Sequence, residues 1–329
     1  MRIFVVAGSS RRVTNCPAAD SKAKFFSERI KEKLPNDWIV DIFNISNDYV
    51  IPKIQSCNAC VSTSMALCVW PCNCYKRHSF FEPDLMWDED IYGRICAADA
   101  ILICAPINWY GPTSSIKLMF DRLVCANGGN PREDLINHKD GTLAAKLEHS
   151  DEWKDLSLNH LEGKTAAFFV YGDGGGDEND SDGRPKIVQH KNYFDPEEES
   201  KMGRATSIYA PIIWQCRYSG IEVPYHLAQE IYFGQYEKYS DNQISHLKEN
   251  KTVLNQFDAW VHEVKQFLEK KGPVSPSKYS VPLKKPDSAM HPLLRQLQLL
   301  IRTTLGSLWL HSIGYFISRF YAKKFKLHE

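Results

Sequence analysis

Several features that would assign a protein to a broad class are missing from this 329-residue sequence. Forty Lys and Arg residues balance forty Asp and Glu residues, so no overall charge favours nucleic acid or an acidic partner. The first ten residues, MRIFVVAGSS, lack the apolar h-region of a signal peptide, which predicts a cytoplasmic protein. An apolar content of 43% and a charged content of 24% are ordinary for a globular chain.

The turn at residues 8–15, GSSRRVTN, also lacks the established nucleotide motifs, because it contains neither Gly-Lys-Ser/Thr nor G-x-G-x-x-G. It follows an apolar run at residues 2–7 and precedes a predicted helix that ends at Pro35. Hydroxyl groups, backbone N–H groups and Arg11 converge in such a turn, and the helix dipole favours an anion. The turn therefore predicts a phosphate site, with an ordinary polar loop as the alternative.

Residues 98–122, ADAILICAPINWYGPTSSIKLMFDR, are the stretch around which the chain is organised. The run at residues 101–104 has no polar alternation, as in a strand buried on both faces of a parallel sheet. A loop with aromatic and turn residues follows Pro106, and Ser114 is placed to cap the next helix. Loops in this position bind ligands in open α/β folds.

A third loop of the same kind follows the apolar run at residues 165–171 and begins Gly172-Asp173-Gly174-Gly175. Its glycines let the backbone approach a flat ligand closely, or let the loop flex. With further strands predicted at residues 38–45 and 220–223, the pattern predicts a doubly wound, five-stranded parallel sheet. Helices are predicted at residues 88–97, 134–153 and 243–271, and residues 208–216 fit either a short helix or a strand.

Together the three loops resemble the flavodoxin-like NAD(P)H-dependent FMN reductase superfamily, in particular its iron–sulfur flavoprotein branch. The matching residues of the first loop are Gly8, Ser9, Arg11, Thr14 and Asn15, and those of the second stretch are Pro106, Trp109, Lys117, Asp121 and Arg122. The resemblance covers residues 1–125 well and 163–176 moderately. It implies a flavodoxin-like α/β fold with insertions and a C-terminal helical extension.

The resemblance also implies a bound FMN, with NAD(P)H as hydride donor and a quinone, another small molecule or an Fe–S centre as acceptor. The FMN phosphate would contact Ser9, Arg11, Thr14 and Asn15. The flavin ring would lie between two loops, whose residues are Pro106, Asn108, Trp109, Tyr110 and Gly111 in one and Gly172, Asp173, Gly174 and Gly175 in the other. Lys117, Asp121 and Arg122 are interpreted as structural, holding the helix against the sheet.

Five of the ten cysteines lie within eighteen residues, at Cys57, Cys60, Cys68, Cys72 and Cys74, in the insert at residues 55–77. Four thiolates from this group would enclose a [4Fe–4S] cluster, as in the iron–sulfur flavoproteins that the sequence resembles. Zinc is a second interpretation, although the paired CxxC motifs of a zinc ribbon are missing. A third interpretation is thiol redox chemistry at Cys57 and Cys60, and a fourth is that the cysteines bind no metal. The five scattered cysteines are interpreted as small buried hydrophobes.

The sequence pattern changes after residue 271, which predicts that the C-terminal residues lie outside the main domain. We expect the flavodoxin-like domain to cover residues 1–271, a proline-rich linker 272–291, and a cationic helical tail 292–329. The longest uncharged run of the tail is 16 residues, short of the roughly 20 that span a bilayer. The tail helix would either pack on its own domain or on a second subunit, or lie on an anionic membrane surface as a peripheral contact.

The function predicted from sequence is therefore an FMN-dependent NAD(P)H oxidoreductase with a small-molecule acceptor. We expect a homo-oligomer and no nucleic-acid partner. One alternative is a flavodoxin-type electron carrier reduced by a partner protein, which the acidic residues 177–182 would dock. The other is a non-catalytic scaffold at a membrane surface.

Overall fold

A computed structural model of the protein describes most of the chain up to residue 275. The described residues are 1–14, 18–46, 54–69, 84–109, 111–127, 129, 135–137, 140–156, 159–172, 206–233, 243–275, 301, 304 and 305. Seven of the predicted site residues lie outside the described residues: Asn15, Cys72, Cys74, Tyr110, Asp173, Gly174 and Gly175.

The centre of the fold is a five-stranded parallel sheet with the strand order β2-β1-β3-β4-β5. The strands are β1 Arg2–Ala7, β2 Ile39–Asn44, β3 Ala100–Pro106, β4 Thr165–Gly172 and β5 Ala228–Tyr232. Strands β3 and β4 are buried along nearly their whole length, as expected for strands that are covered on both faces. This strand order is the flavodoxin-like one, so the predicted α/β class and doubly wound sheet are confirmed.

Helices cover both faces of the sheet. Their bounds are α1 Lys22–Lys33, α2 Leu85–Asp88, α3 Ile91–Ala97, α4 Ser114–Asn127, α5 Gly141–Glu148, α6 Asp151–Leu156, α7 Thr206–Tyr218, α8 Ile244–Glu249 and α9 Lys251–Lys271. One core contains Ile3 and Val5 of β1 with the apolar faces of α1 and α9. The other contains Phe4 and Val6, which point to the opposite face, with α3, α4 and α7.

The register of the central strands brings their carboxyl ends together. Ala7 at the end of β1 is opposite Cys104 of β3, and Cys104 is opposite Phe169 of β4. The three strands therefore end at the same edge of the sheet, and their last residues are close to one another in register. This edge is where open α/β sheets bind their ligands.

The last strand lies later in the chain than the sequence predicted. Residues 220–223 make only one isolated bridge, between Thr165 and Glu222, and β5 begins at Ala228 after a short 3-10 helix, Tyr225–Leu227. Gly220 has a left-handed φ of 70°. Pro224 lacks an N–H group, so it cannot continue a ladder. The turn at Gly220 and the proline at residue 224 therefore leave residues 221–223 too short to form a full strand beside β4.

Two helix predictions also need correction, and the structure decides a third stretch that fits either a helix or a strand in sequence. The predicted helix at residues 134–153 is two short helices, α5 and α6, which are separated by His149 and Ser150. The predicted helix at 243–271 is divided at Asn250, whose side chain accepts a hydrogen bond from the N–H of Val253 and so caps α9. The ambiguous run at 208–216 is helical.

The predicted linker and tail lie almost entirely outside the described residues; residues 301, 304 and 305 have helical backbone. Within the part of the chain that is described, no helix has both the length and the apolar character needed to cross a membrane.

Candidate active site

The first and second predicted ligand loops meet directly at the carboxyl edge of the sheet. The N–H of Gly8 donates to the carbonyl of Cys104 at 2.8 Å, and the hydroxyl of Thr113 donates to the carbonyl of Gly8 at 2.9 Å. A Cβ atom at Gly8 would lie 2.8 Å from the Cβ of Ala105 and closer still to Ile116. Only glycine therefore permits this close approach of the loop to β3 and α4.

The polar groups of the first loop have different roles. Ser9 is buried, and its Oγ accepts a hydrogen bond from the N–H of Arg11 at 3.2 Å. The hydroxyls of Ser10 and Ser115 are 3.2 Å apart, which joins this loop to the start of α4. The guanidinium of Arg12 donates to the carbonyl of Ser46 at 3.3 Å. The side chains of Arg11 and Thr14 are exposed, so they are available to an anion.

The second loop is a tight turn with an exposed tip. Asn108 and Gly111 exchange two backbone hydrogen bonds of 2.9 and 3.1 Å across the turn. Trp109 at the tip has a left-handed φ of 48° and a side chain that is 95% exposed. A tryptophan that is almost fully exposed on a constrained turn is placed to contact a ligand or a partner rather than the core.

Tyr209 of α7 supports the base of this loop and was not predicted from the sequence. Its hydroxyl donates to the carbonyl of Pro106 at 2.9 Å, and its ring packs edge-on against Phe168 with 6.2 Å between centroids. Burial raises the pKa of Tyr209, so the hydroxyl keeps its proton and remains a donor. In the sequence, Tyr209 is one residue of the apolar run 208–216, which fits either a helix or a strand, and nothing local links it to the second loop.

The third loop begins beside the second. The N–H of Ile107 donates to the carbonyl of Tyr171 at 2.8 Å, and the carbonyl of Gly172 accepts from the N–H of Phe233 at 3.0 Å. Gly172 therefore lies at the same edge as Pro106, as predicted. The loop beyond Gly172 is outside the described residues.

The charged residues of α4 bind neighbouring segments. Arg122 and Asp84 form a fully buried ion pair, with 2.5 Å between Nη1 and Oδ2. Asp84 also accepts a hydrogen bond from the N–H of Gln55 at 3.0 Å. The ion pair of Arg122 with Asp84 therefore connects the start of the cysteine segment to α4. Asp121 pairs with Lys117 and accepts from Gln215 of α7 at 2.6 Å. Arg122 and Asp121 are therefore structural, but they link α4 to neighbouring segments rather than to the sheet, and Lys117 pairs within α4 itself.

A family model described as NADPH-dependent FMN reductase matches residues 1–198. The chain belongs to this family. It is accordingly an NAD(P)H-dependent flavin oxidoreductase, as the loop motifs predicted. No curated protein sequence matched the chain.

Several solved structures resemble this FMN reductase remotely. An NADH:FMN oxidoreductase in its apo form is 13% identical with a TM-score of 0.41, covering 88% of this chain and 99% of that one. An azoreductase from Bacillus anthracis str. Sterne is 10% identical with a TM-score of 0.40, covering 81% and 99%. RosB with a bound flavin-derived intermediate is 12% identical with a TM-score of 0.41, covering 88% and 86%.

The hydrogen-bond donors of the first loop, at the carboxyl edge of the sheet, suit the phosphate group of an FMN. Residues 8–14 supply hydroxyl groups, backbone N–H groups and the exposed cation Arg11, and they contain no carboxylate that would repel a phosphate. The turn that carries Trp109 provides an aromatic surface at the same edge. An anionic ligand therefore matches the charge of the described residues, and a planar ring would find an aromatic surface beside them in Trp109.

A cleft of about 470 Å³ opens between α4 and α7 beside the second loop. It is lined by Pro112, Ser114, Lys117, Leu118 and Pro211. Two large apolar side chains of α7 are exposed on this side of the FMN reductase, Trp214 at 50% and Tyr218 at 77%. Together they give the helix an apolar surface beyond its buried face.

The cysteine segment follows β2 and packs against α4, α5 and α6. It contains two short 3-10 helices, Cys60–Ser62 and Met65–Leu67. Glu148 of α5 accepts hydrogen bonds from the hydroxyl of Ser64 at 2.6 Å and the N–H of Met65 at 3.0 Å. Of the predicted metal ligands, Cys57, Cys60 and Cys68 are described. No group of three His, Cys, Asp or Glu residues suited to a metal occurs among the residues that the structure describes.

The structure brings Cys57 against Cys125, one of the scattered cysteines, with 3.6 Å between the sulfur atoms. The hydrogen bond with Cys125, a second from the N–H of Ala59 at 3.3 Å and the charge of Arg122 together lower the pKa of Cys57 to about 6. The same contact, with burial, raises the pKa of Cys125. The interpretation of Cys125 as an ordinary buried hydrophobe is therefore incomplete, because it is only partly buried and contacts another thiol.

Proposed function

We propose that this FMN reductase binds FMN at the carboxyl edge of the sheet and reduces a small organic acceptor, such as a quinone or an azo compound. The observation that carries the proposal is the meeting of the loops at Gly8, Asn108 and Gly172 at one edge. One loop there presents donors for an anion, and another presents an exposed tryptophan.

The site residues divide between the two ends of the cofactor. Ser9, Arg11, Thr14 and Asn15 would hold the phosphate, and Ser9 would do so mainly by shaping the loop, because its Oγ already accepts from Arg11. The ring would lie between residues 106–111 and 172–175, with Trp109 or Tyr110 as a stacking surface. FMN, when bound, accepts a hydride from NAD(P)H and passes electrons to the acceptor. The residues named above would bind and orient it, and the two hydrogen bonds between Asn108 and Gly111 would keep the turn beside the ring in place.

An absorption spectrum of the purified full-length protein tests this proposal. We expect flavin bands that bleach when NADPH or NADH is added anaerobically and that return when a quinone is added. Protein that takes up no FMN would contradict the proposal. Bleaching by a partner reductase but not by nicotinamide would identify the protein as a flavodoxin-type carrier instead.

We also propose a homo-oligomer in which the exposed surface of α7 is covered by a second copy. Trp214 and Tyr218 lie one helical turn apart, and both are at least half exposed. Paired exposed aromatics are typical of interface anchors. Replacing Trp214 with Lys should convert the oligomer to a monomer in light scattering, while the matched change Tyr225→Lys at another exposed aromatic should not. A wild-type monomer would contradict this proposal.

Two further predictions stay as proposals. A [4Fe–4S] cluster on the cysteine segment would take Cys57 and Cys60 with two of Cys68, Cys72 and Cys74, and iron analysis of anaerobically purified protein tests it. The tail at residues 292–329 would contact an anionic membrane as a peripheral helix. Comparing liposome binding of the full chain with a chain ending at residue 271 tests that contact.

A further inference from the structure

Cys57 and Cys125 are in contact although 68 positions separate them in the chain, with 3.6 Å between their sulfur atoms. Cys57 lies in an irregular segment, residues 54–59, and Cys125 lies in the last turn of α4. Tertiary structure, not a local C-x-x-C motif, therefore brings the two thiols together.

The surroundings of Cys57 favour a reactive sulfur. Its Sγ accepts a hydrogen bond from the N–H of Ala59, a residue whose left-handed φ of 50° is unusual for alanine. On the other side of the pair, Arg122 lies one helical turn before Cys125 on α4 and is held there by its buried ion pair with Asp84. A hydrogen-bond donor at the sulfur and a cation in the neighbouring turn are features of reactive cysteines.

Three other described cysteines have the opposite environment. Burial raises the pKa of Cys96 to about 12, and burial also raises the pKa values of Cys104 and Cys216. Such thiols remain protonated, so they react slowly with oxidants. Cys104 and Cys216 are also buried, whereas Cys96 is partly exposed like Cys57 and Cys125. The pair of Cys57 and Cys125 is distinguished from all three by the contact between its sulfur atoms.

We propose that Cys57 and Cys125, where the cysteine segment holds no metal, form a redox-active dithiol that a peroxide closes to a disulfide. The Cys57 thiolate attacks one oxygen of ROOH, the O–O bond breaks, and ROH leaves after taking up a proton, so that Cys57 becomes a sulfenic acid. The Cys125 thiol then attacks the Cys57 sulfur, the S–O bond breaks, and water leaves with the Cys125 proton. Overall, the two thiols lose two electrons and two protons, and ROOH becomes ROH and water.

The geometry permits this closure with a small movement. The sulfur atoms must approach from 3.6 Å to about 2.0 Å. Cys57 has no helix or strand to hold its backbone, so its segment can supply the movement while α4 stays in place. The disulfide would fasten the cysteine segment covalently to α4, whose first residue, Ser114, follows the second ligand loop.

The test maps disulfides in the full-length protein as purified, before and after treatment with hydrogen peroxide. Thiols are alkylated, the protein is digested, and crosslinked peptides are identified by mass spectrometry. We expect a Cys57–Cys125 crosslink, an intact mass lower by about 2 Da because two hydrogens are lost, and reversal by dithiothreitol. The matched control Cys60→Ser, in the same segment, should form the same crosslink.

Variants separate the two steps. Cys125→Ser removes the resolving thiol, so we expect dimedone to trap a sulfenic acid on Cys57. Cys57→Ser should leave Cys125 neither oxidised nor labelled. Crosslinking of Cys57 to another cysteine, or retention of both thiols in peroxide-treated wild type, would overturn the proposal. So would Cys57 that alkylates only after a metal chelator is added. The wild-type map decides the question even if a variant fails to fold.

Discussion

The hydroxyl of Tyr209 lies 2.9 Å from the carbonyl oxygen of Pro106 and donates a hydrogen bond to it. This bond joins α7 to the base of the loop that carries Trp109. Tyr209 follows Pro106 by 103 positions, so a helix near the end of the domain holds a loop that lies much earlier in the chain.

Tyr209→Phe should destabilise the protein by about 1 kcal/mol, the typical net value of one intramolecular hydrogen bond. The ring is kept, so its packing against Phe168 is preserved. Urea denaturation measures the loss, and FMN titration should show weaker binding because the loop loses its support. Tyr225→Phe, at a tyrosine that is 53% exposed and outside the proposed oligomer interface, is the control and should change neither quantity.

Arg11→Gln should weaken FMN binding by about 10–100-fold, because a hydrogen bond to a charged group contributes about 1.5–3 kcal/mol. Riboflavin, which lacks the phosphate, should bind the variant and the wild type equally well. Arg11→Lys keeps the charge without the guanidinium and should lose less affinity than Arg11→Gln. Equal losses for FMN and riboflavin would show that Arg11 does not contact the phosphate.

Trp109→Ala should leave the free energy of unfolding within about 0.5 kcal/mol of wild type, since the side chain is 95% exposed. It should weaken FMN binding by about 0.5–1.5 kcal/mol, the contribution of one aromatic contact. Trp109→Phe should restore most of the affinity. Fluorescence quenching of the flavin on titration measures both variants. A change in stability without a change in affinity would assign Trp109 to folding instead.

The parts of the fold that follow from local sequence were predictable. Apolar runs such as residues 101–104 identify buried strands without reference to the rest of the chain. The strand at 228–232 was missed because AQEIY is short and has two adjacent polar residues, Gln229 and Glu230, which neither an apolar run nor an alternating pattern contains. Glu230 is buried only in the folded sheet. The divided C-terminal helix was missed because Asn250 acts as a cap through its side chain, which the apolar periodicity does not show.

The candidate site was predictable where one loop supplies the residues, and unpredictable where distant elements meet. The donors of residues 8–14 are contiguous in sequence, so their convergence could be expected. The contacts of Tyr209 with Pro106 and of Cys57 with Cys125 join residues 103 and 68 positions apart. Both depend on the packing of α4 and α7, which no local pattern encodes.

Arg122→Leu should lower the free energy of unfolding by about 3–5 kcal/mol, because it leaves the carboxylate of Asp84 buried without its cation. The double variant Arg122→Leu, Asp84→Asn should recover part of the loss, since the unpaired charge is removed as well. Lys154→Ala breaks an exposed pair with Asp151 and is the control, with an expected loss of less than about 1 kcal/mol. Additive losses in the double variant would contradict the coupling of Arg122 with Asp84.

Alkylation of Cys57 by iodoacetamide should depend on pH with a midpoint near its pKa of about 6. The thiolate is the nucleophile, so the rate should rise as pH increases through 6 and level off by about pH 7. Cys125, whose pKa is raised, should remain unreactive over this range.

Replacing Cys125 with Ala removes the hydrogen bond to the Cys57 sulfur, so the midpoint should move to higher pH, toward the ordinary value of a thiol. Cys60→Ser is the control and should leave the midpoint of Cys57 alkylation unchanged. Peptide mass spectrometry with a pulse of reagent at each pH measures the rate at each cysteine separately. A Cys57 midpoint near pH 8.5 in the wild type would show that neither Cys125 nor Arg122 stabilises the thiolate.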